Sequence, residues 1–391
     1  MSIAFIDLQA QRRRLGGRIE SAMMAAVESG AYVMGPPVRE FETALAAFGG
    51  AKHALGCGNG TDALVLPLKA WGVTTGDAVF VPSFTFCATA EIVPWTGATP
   101  VFIDIDATTY NIDPGHLEAA IEATLAEGKL KPKVVIAVDL FGQPADYPAI
   151  KAICDRHGLK LISDSAQGFG CTINGEHPLK WADATTTSFF PAKPLGCYGD
   201  GGAVLTNDDA LAELIDSYRV HGKAVSQDLV LFEKTGRTFE HDTKYLNMRV
   251  GMNSRLDTVQ AAVLIEKLKA FGEEIEWRNR IAARYNELLA PHVASVPQTP
   301  AGNVSNWAQY TIEHPDRDGL AAHLREHGVP SAVYYPIPLH LQPAYDMHPR
   351  GPQGLPVTEA KMKVVISLPM HSDLDEATQD RIVAAVASYK G

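Results

Sequence analysis

Residues 146–164 read DYPAIKAICDRHGLKLISD, and this stretch joins two kinds of element. Its first part predicts a helix that ends at Gly158, because glycine commonly terminates helices. Its last part, KLISD at 160–164, is short and apolar and predicts a buried strand. A helix followed at once by a buried strand is typical of a parallel sheet in an α/β protein.

The same alternation continues on both sides of this stretch. Asp113 and Gly128 bound a second predicted helix as its N-cap and its terminator, with Pro114 at the first helical position. Short β-branched or aromatic segments predict further strands at 79–81, 101–105, 134–140, 186–190 and 202–206. We therefore predict an α/β domain in which helices cover both faces of a mostly parallel sheet.

The pattern changes after NSRLDTVQAAVLIEKLKAF at 253–271, which predicts a long helix. The helical and extended segments that follow predict a smaller α+β domain. Since 391 residues exceed what one hydrophobic core usually serves, we predict a large domain at 1–270 and a small C-terminal domain at 271–391. The polar segment 223–247 predicts a long loop, which could be a lid, a contact element or an ordinary surface insertion.

The composition argues against several classes of partner and site. The net charge of −11 argues against nucleic acid, whose binding needs a basic surface. The sequence has no signal-peptide core and no apolar stretch of membrane-spanning length, so we expect a cytoplasmic protein that does not enter a membrane. The five cysteines are scattered without metal-ligand spacing, and we expect reduced thiols and no bound metal.

Three short motifs could contribute to a binding site. Residues 58–62, GNGTD, lead into a predicted helix whose N-terminus would attract an anion, although a plain capped helix explains them equally well. Phe84 and Phe86 follow a strand, where they could pack in the core or against a flat ligand ring. Asp164 ends a strand at the sheet edge where α/β proteins bind ligands, although an aspartate there is often only a helix cap.

A fourth motif, SFFPAKPLGCYGDGG at 188–202, contains Ser188 and Lys193. The Ser188 hydroxyl can donate to a phosphate. Lys193 lies among aromatic, proline and glycine residues, and such an apolar environment lowers the pKa of an amine and makes it a nucleophile. Taken alone, Lys193 is more typical of a lysine on a surface turn.

Together the four motifs match the requirements of pyridoxal 5′-phosphate (PLP). Its phosphate suits a helix N-terminus, its ring stacks on an aromatic side chain, its ring nitrogen pairs with a carboxylate, and its aldehyde reacts with a lysine. The carboxylate keeps the ring nitrogen protonated, because two unit charges near contact attract by about 4 kcal/mol at an effective dielectric constant of 20. The sequence therefore predicts a PLP enzyme.

The chain also resembles the DegT/StrS-type family of PLP-dependent nucleotide-sugar aminotransferases over almost its whole length. The shared motifs, in the order of the family, are NGTDAL, PSFTFCATAE, DSAQGFG, SFFPAKPLGCYGDGGA, NSRLDTVQAA and YYPIPLH. The resemblance implies the aspartate-aminotransferase-like fold, fold type I of PLP enzymes, with a mostly parallel seven-stranded sheet. It is strongest to enzymes that aminate a 3-keto sugar, particularly UDP-2-acetamido-2-deoxy-3-oxo-glucuronate, for surface polysaccharides such as lipopolysaccharide O-antigen.

The resemblance implies a cofactor role for each matching residue. Lys193 would bind the cofactor covalently and then act as general acid and base, Asp164 would pair with the ring nitrogen, and Gln167 would bond the ring hydroxyl. Phe86 would stack on the ring. The phosphate would be held by Gly60, Thr61, Asp62 and Ser188.

The resemblance also implies roles in substrate binding and assembly. Asn253 would reach the phosphate in the neighbouring subunit, which makes a homodimer the catalytic unit. Arg255 would face the sugar, where it could bind the carboxylate of a uronate, or it could bind the carboxylate of L-glutamate, the amino donor that leaves as 2-oxoglutarate.

Three features depart from the family pattern. Tyr334-Tyr335-Pro336 stands where close relatives often have His-Tyr-Pro, and since this position would border the substrate, Tyr334 bears on the identity of the sugar. Ser163 stands where many relatives have glutamate. The segment 223–247 is longer than in near relatives and could cover the nucleotide or extend the dimer contact.

Three other functions are compatible with parts of this pattern. The dehydrating or deoxygenating branch of the family replaces the lysine by histidine, so Lys193 argues against it. A non-catalytic regulatory relative would not need the whole set of site residues. An aminotransferase acting on a dTDP- or GDP-linked 3- or 4-keto-deoxy sugar is the alternative within the enzyme class.

Overall fold

The structure is a computed structural model, and it describes residues 3–234 and 245–391. Its α-helices are α1 (Leu8–Leu15), α2 (Arg18–Ser29), α3 (Pro36–Phe48), α4 (Gly60–Ala70), α5 (Ala88–Trp95), α6 (Pro114–Glu127), α7 (Tyr147–His157), α8 (Asp209–Tyr218), α9 (Ser226–Lys234), α10 (Thr258–Leu289), α11 (Arg317–Glu326), α12 (Pro356–Lys361) and α13 (Glu376–Ser388). Its strands are β1 (His53–Cys57), β2 (Asp77–Pro82), β3 (Thr99–Ile103), β4 (Lys131–Val138), β5 (Lys160–Asp164), β6 (Thr172–Ile173), β7 (Ala184–Ser188), β8 (Gly202–Thr206), β9 (Asn303–Val304), β10 (Tyr310–Glu313) and β11 (Val365–Leu368).

Seven of these strands form one sheet in the order β1-β8-β7-β5-β4-β2-β3. The strand β8 runs antiparallel to both of its neighbours, and the other pairs are parallel. The predicted mostly parallel α/β sheet is therefore confirmed. Because β4, β5 and β7 run in the same direction, their carboxyl ends lie together at one edge of the sheet.

Alternating side chains of the central strands pack on opposite faces of the sheet. Val79 and Ile162 lie in a buried cluster with α4 and α5, whereas Phe80 and Leu161 lie in a second cluster with α6 and α7. All four side chains are fully buried. These strands are apolar because helices cover both faces of the sheet.

The two predicted helix ends are present as expected. Asp113 caps α6 by accepting a hydrogen bond from the His116 amide, and Gly128 ends that helix in the left-handed conformation at φ 68°. Gly158 ends α7 in the same way at φ 67°. These local rules therefore place the helices correctly between the strands.

The long helix begins later than the prediction of 253–271. Asp257 is the N-cap of α10 and is extended, and residues 253–256 before it are not helical. Asn253 forms a β-bridge with Val220, and the Ser254 amide donates to the Arg219 carbonyl at 2.9 Å. These contacts between distant parts of the chain use the backbone groups that a helical turn would need.

The same helix crosses the predicted domain boundary without a break. Leu264 and Phe271, in its first half, belong to a cluster with α3 and β8, and Ile281 and Tyr285, in its second half, belong to a cluster with β10, β11 and α13. The division into residues 1–270 and 271–391 stays a prediction.

The segment 223–247 was predicted as a loop, and this is wrong for its first part. The helix α9 begins at Ser226, where Asp228 accepts a hydrogen bond from the Val225 amide at 2.9 Å and pairs with Arg249. The hydrogen bond and the ion pair of Asp228 stabilise this helix, although its apolar periodicity is weak. Residues 235–244 of the predicted loop lie outside the described residues.

Within the described ranges, no helix is long and apolar enough to cross a membrane, and no group of three or more His, Cys, Asp or Glu side chains could hold a metal ion. The five cysteines are free thiols.

Candidate active site

The carboxylate of Asp164 lies buried at the end of β5, at the shared edge of the parallel strands. Its Oδ2 accepts a hydrogen bond from Thr89 Oγ1 at 2.9 Å, and its Oδ1 accepts from the Ala166 amide at 3.2 Å. Burial raises the pKa of Asp164, whereas these donors and the positive charge of Lys193 lower it. Asp164 forms no ion pair within the described chain, so its charge is available to a cationic partner.

The amine of Lys193 is presented by a tight turn between β7 and β8. The Lys193 amide donates to the Phe190 carbonyl at 2.8 Å, and a Cβ at Gly196 would lie 2.5 Å from the Pro191 carbonyl oxygen. Burial lowers the pKa of Lys193, and the nearby Asp164 carboxylate raises it. Its Nζ makes no hydrogen bond with any described residue, which leaves a free amine in a poorly solvated place.

The start of α4 packs directly on the end of β7. A Cβ at Gly60 would lie 2.6 Å from the Cβ of Ser188, so only glycine permits this approach. As the first residues of α4, Gly60 and Thr61 have N–H groups without acceptors in the helix. These groups and the Ser188 hydroxyl form a set of donors suited to a phosphate.

Asp62 is occupied by contacts with Asn59 in the same loop and with Ser254, which is 192 residues away in the chain. Its amide donates to Asn59 Oδ1 at 2.8 Å, and its Oδ2 accepts from Ser254 Oγ at 2.6 Å. Ser254 Oγ in turn accepts from the Gly58 amide at 3.0 Å. Asp62 therefore orders the loop, and its predicted contact with the phosphate stays a prediction.

Gln167 is held by three other parts of the chain. Its Oε1 accepts from the Phe141 amide and its Nε2 donates to Tyr335 Oη, both at 2.9 Å. The side-chain amide of Asn306 donates to the backbone carbonyls of Gln167 and Phe169, both at 2.8 Å. One Nε2 hydrogen of Gln167 is left for a ligand.

The two aromatic residues after β2 have different environments. Phe84 is fully buried, with its ring centroid 6.1 Å from that of Tyr335, and it belongs to the core. Phe86 is 53% exposed, which leaves its ring able to contact a ligand. The stacking role predicted for Phe86 stays a prediction.

Asn253, predicted to bind the cofactor phosphate in the partner subunit, and the two predicted substrate residues lie at or near the surface. Asn253 is exposed, and Arg255 is half-buried without a hydrogen bond or an ion pair to any residue of 3–234 and 245–391. Tyr334 is half-buried, which raises the pKa of its hydroxyl, and its ring centroid is 5.8 Å from that of Tyr335.

Sequence reasoning missed three residues that position this site. Thr89 and Tyr335 lie in the motifs PSFTFCATAE and YYPIPLH, so these motifs carried a signal for them. Asn306 had no such signal, because its contact with Gln167 spans 139 residues of the chain.

These residues fit PLP. Within the described chain, Asp164 is a buried carboxylate that forms no ion pair, and Lys193 is an amine with a lowered pKa that forms no hydrogen bond. The start of α4 contacts the Ser188 side chain at Gly60, where only glycine fits. A ring nitrogen, an aldehyde and a phosphate are the groups that such partners would bind.

Comparison with known proteins gives the family. The model of the DegT/DnrJ/EryC1/StrS aminotransferase family matches residues 14–387. The UDP-2-acetamido-2-deoxy-3-oxo-D-glucuronate aminotransferase of Pseudomonas aeruginosa is 44% identical and covers 99% of this chain and 100% of its own length. A pleiotropic regulatory protein of Geobacillus stearothermophilus is 41% identical, over 100% of this chain and 99% of the relative.

Solved structures agree with this match. A DegT DnrJ EryC1 StrS aminotransferase from Brucella abortus has a TM-score of 0.93 and 49% identity, with 100% of both chains covered. The NtdA protein of Bacillus subtilis with bound cofactor PMP has a TM-score of 0.81 and 27% identity, over 98% of this chain and 84% of that chain. Together with the sheet topology, these matches confirm fold type I of PLP enzymes.

Proposed function

Because this chain belongs to the DegT/DnrJ/EryC1/StrS aminotransferase family and is a PLP-dependent aminotransferase, we propose that it moves the amino group of L-glutamate to a UDP-linked 3-keto sugar or uronate. The product would serve surface polysaccharide synthesis, such as that of O-antigen, in the cytoplasm. The observation that carries the chemistry is the free Lys193 amine with its pKa lowered by burial, near the buried Asp164 carboxylate.

Different residues of the chain would bind the cofactor ring, bind its phosphate and transfer the proton. Bound PLP would supply an electron sink next to the nitrogen being transferred. Asp164, oriented by Thr89, would hold the ring nitrogen, and the donors of Gly60, Thr61 and Ser188 would hold the phosphate. Lys193 Nζ would hold the cofactor and then carry a proton to and from the substrate carbon, since burial lowers its pKa and so favours the neutral amine that can accept a proton.

Arg255 supports the choice of a uronate substrate. Its guanidinium is half-buried and unpaired within the described chain, and a carboxylate is the natural partner of such a group. Tyr334 would border the same substrate. The relative from Pseudomonas aeruginosa is named for a glucuronate derivative, which is consistent with a carboxylate on the sugar.

We also propose that a homodimer is the catalytic unit, with Asn253 binding the phosphate in the partner's site. The exposure of Asn253 supports this. Mixing a Lys193→Ala chain with an Asn253→Ala chain at limiting PLP tests it. Each mixed dimer would contain one intact site, so activity would return on mixing; no gain over the separate variants would contradict the shared site.

The proposed reaction is tested in two steps. Adding L-glutamate to the yellow holoenzyme should bleach its visible absorption band. The glutamate-treated enzyme should then aminate the UDP-linked 3-keto uronate faster than the UDP-linked 3-keto sugar without a carboxylate. A preference for a dTDP- or GDP-linked keto-deoxy sugar would establish the alternative substrate class.

A second candidate function is non-catalytic regulation, which the name of the Geobacillus relative favours. This function would not require a free amine at Lys193. A holoenzyme whose spectrum responds to no amino donor would favour regulation.

A further inference from the structure

A second acid, Asp139, lies beside Asp164 and has no part in the function described so far. Asp139 follows the end of β4 and is fully buried. Its amide donates to the Asp164 carbonyl at 3.0 Å. The two acids therefore stand at the carboxyl ends of adjacent parallel strands.

Hydrogen-bond donors surround the Asp139 carboxylate. Oδ1 accepts from Tyr147 Oη at 2.7 Å and from the Ala145 amide at 3.1 Å. Oδ2 accepts from Ser163 Oγ at 3.3 Å and from the Ser165 hydroxyl. Four donors favour the ionised form of the carboxylate.

No cation balances this charge within the described chain. The titratable groups that face Asp139 are Tyr147 on α7, Asp164 on β5 and the Cys171 thiol, while the charge of Lys193 acts on Asp164. Burial, together with the charge of Asp164, raises the pKa of Asp139 to about 6, while Ser165 and Tyr147 lower it. Asp139 is therefore an anion at neutral pH and becomes neutral a little below it.

The loop that carries Gln167 packs on this acid. A Cβ at Gly168 would lie 2.2 Å from the Cβ of Asp139, and Ser165, the residue next to Asp164, donates its hydroxyl hydrogen to the Asp139 carboxylate. Asp139 is thus in direct contact with residues 165–168, the segment that follows Asp164 and carries Gln167.

We propose that Asp139 is a positioning residue whose negative charge makes Asp164 a stronger base and so strengthens the bond of Asp164 to the ring nitrogen of PLP. A like charge nearby increases the proton affinity of a carboxylate, and that same affinity favours an N–H⁺ partner. The inference rests on the proposed pairing of Asp164 with the cofactor.

This role also accounts for Ser163. Its hydroxyl donates to Asp139 and lies 2.8 Å from Tyr147 Oη. A glutamate at 163 would place another carboxylate against Asp139 and oppose its ionisation. With serine at position 163, Asp139 can therefore stay ionised as the second buried carboxylate.

The test is the dissociation constant of PLP, measured by titrating the apoenzyme at pH 5 to 8. The phosphate of PLP also titrates near pH 6, so the informative quantity is the ratio of the Asp139→Asn constant to the wild-type constant. We expect a ratio of about 10 at pH 7.5 that falls toward 1 at pH 5, because only the wild type loses a charge in that range. A ratio that does not change with pH would overturn the proposal.

Two further variants separate the possible failures. Tyr147→Phe removes a hydrogen-bond donor to the Asp139 carboxylate and so raises the pKa of Asp139. The pH at which the PLP dissociation constant changes should therefore be about one unit higher than in the wild type. This shift tests the proposal even if Asp139→Asn does not fold. No shift in that variant would count against the role of Asp139. Asp164→Asn should weaken PLP binding at every pH; if it does not, the pairing of Asp164 with the cofactor is wrong, whatever Asp139 does.

Discussion

Gly60 and Ser188 are in direct contact: a Cβ at residue 60 would lie 2.6 Å from the Ser188 Cβ and 3.1 Å from its Oγ. This contact joins the first turn of α4 to the end of β7. The two elements are far apart in the chain, and their approach creates the set of N–H and hydroxyl donors proposed to bind the cofactor phosphate.

Replacing Gly60 by alanine should weaken PLP binding by more than roughly tenfold, because the new methyl group separates α4 from β7 and moves the donors. The measurement is a PLP titration of the apoenzyme. Gly272→Ala is the matched control, since Gly272 lies within α10, where an added Cβ would meet no atom within 4 Å. That control should stabilise the protein by about 0.5–1 kcal/mol and leave PLP binding unchanged. Equal PLP affinity in the two variants would contradict the proposed phosphate site.

Replacing Asn306 by alanine should lower the free energy of unfolding by about 2 kcal/mol, because the buried carbonyls of Gln167 and Phe169 lose their donor. It should also lower kcat by roughly tenfold, since Gln167 loses its backbone support. Urea unfolding and steady-state kinetics measure the two effects. Gln379→Ala removes a buried bond to the Ile281 carbonyl far from the site and should destabilise without changing kcat. An unchanged kcat for Asn306→Ala would show that Gln167 is positioned without it.

Much of the fold could be predicted because the signals are local. The caps at Asp113 and Gly128 and the apolar runs of β2, β4 and β5 each depend on a few neighbouring residues. β1 was missed, because its stability comes from pairing with β8, about 150 residues away in the chain. The late start of α10 has the same cause, since Asn253 bridges to Val220.

The candidate site divides in the same way. Lys193 and Asp164 could be proposed from the sequence, because each lies in a short motif. The structure brings their charges close enough to interact, and their roles toward the cofactor stay predictions. Asn306 and Asp139 could not be proposed from the sequence, because their importance depends on partners that only the folded chain brings to them. The sequence also left open which of Phe84 and Phe86 faces a ligand, and the exposure of Phe86 favours that residue.

The lowered pKa of the buried Lys267 predicts that the free energy of unfolding increases with pH. Burial lowers its pKa from 10.5 to about 8, and its Nζ lies 4.5 Å from the centroid of the Tyr198 ring without an ion pair in the described chain. Between pH 8 and 10.5 the unfolded chain binds more protons at this site than the folded chain, so wild-type stability rises with pH. Relative to Lys267→Met, the gain between pH 7 and pH 10 should be about 2.5 kcal/mol.

Urea unfolding at pH 7 and pH 10 measures this difference. Lys269→Met, which removes a lysine that is exposed and pairs with Glu266, should show almost none of it. A difference between wild type and Lys267→Met that is the same at both pH values would contradict the lowered pKa.

Replacing Arg255 by lysine should raise KM for the UDP-linked keto uronate by roughly tenfold, because lysine cannot form the two parallel hydrogen bonds of a guanidinium. Steady-state kinetics with the uronate and with the matching sugar lacking the carboxylate measure this effect, and only the uronate should respond. A rise in KM for L-glutamate instead would assign Arg255 to the amino donor.

The most direct test of the central claim is reduction of the holoenzyme with borohydride, followed by peptide mass spectrometry. Reduction fixes the bond between PLP and its lysine. We predict that the pyridoxyl group lies on Lys193 and that Lys193→Ala carries none while still folding. Lys267, a second described lysine whose pKa is lowered by burial, is the internal comparison. A label on Lys267, or no label on any lysine, would contradict the assignment of Lys193 as the residue that holds the cofactor.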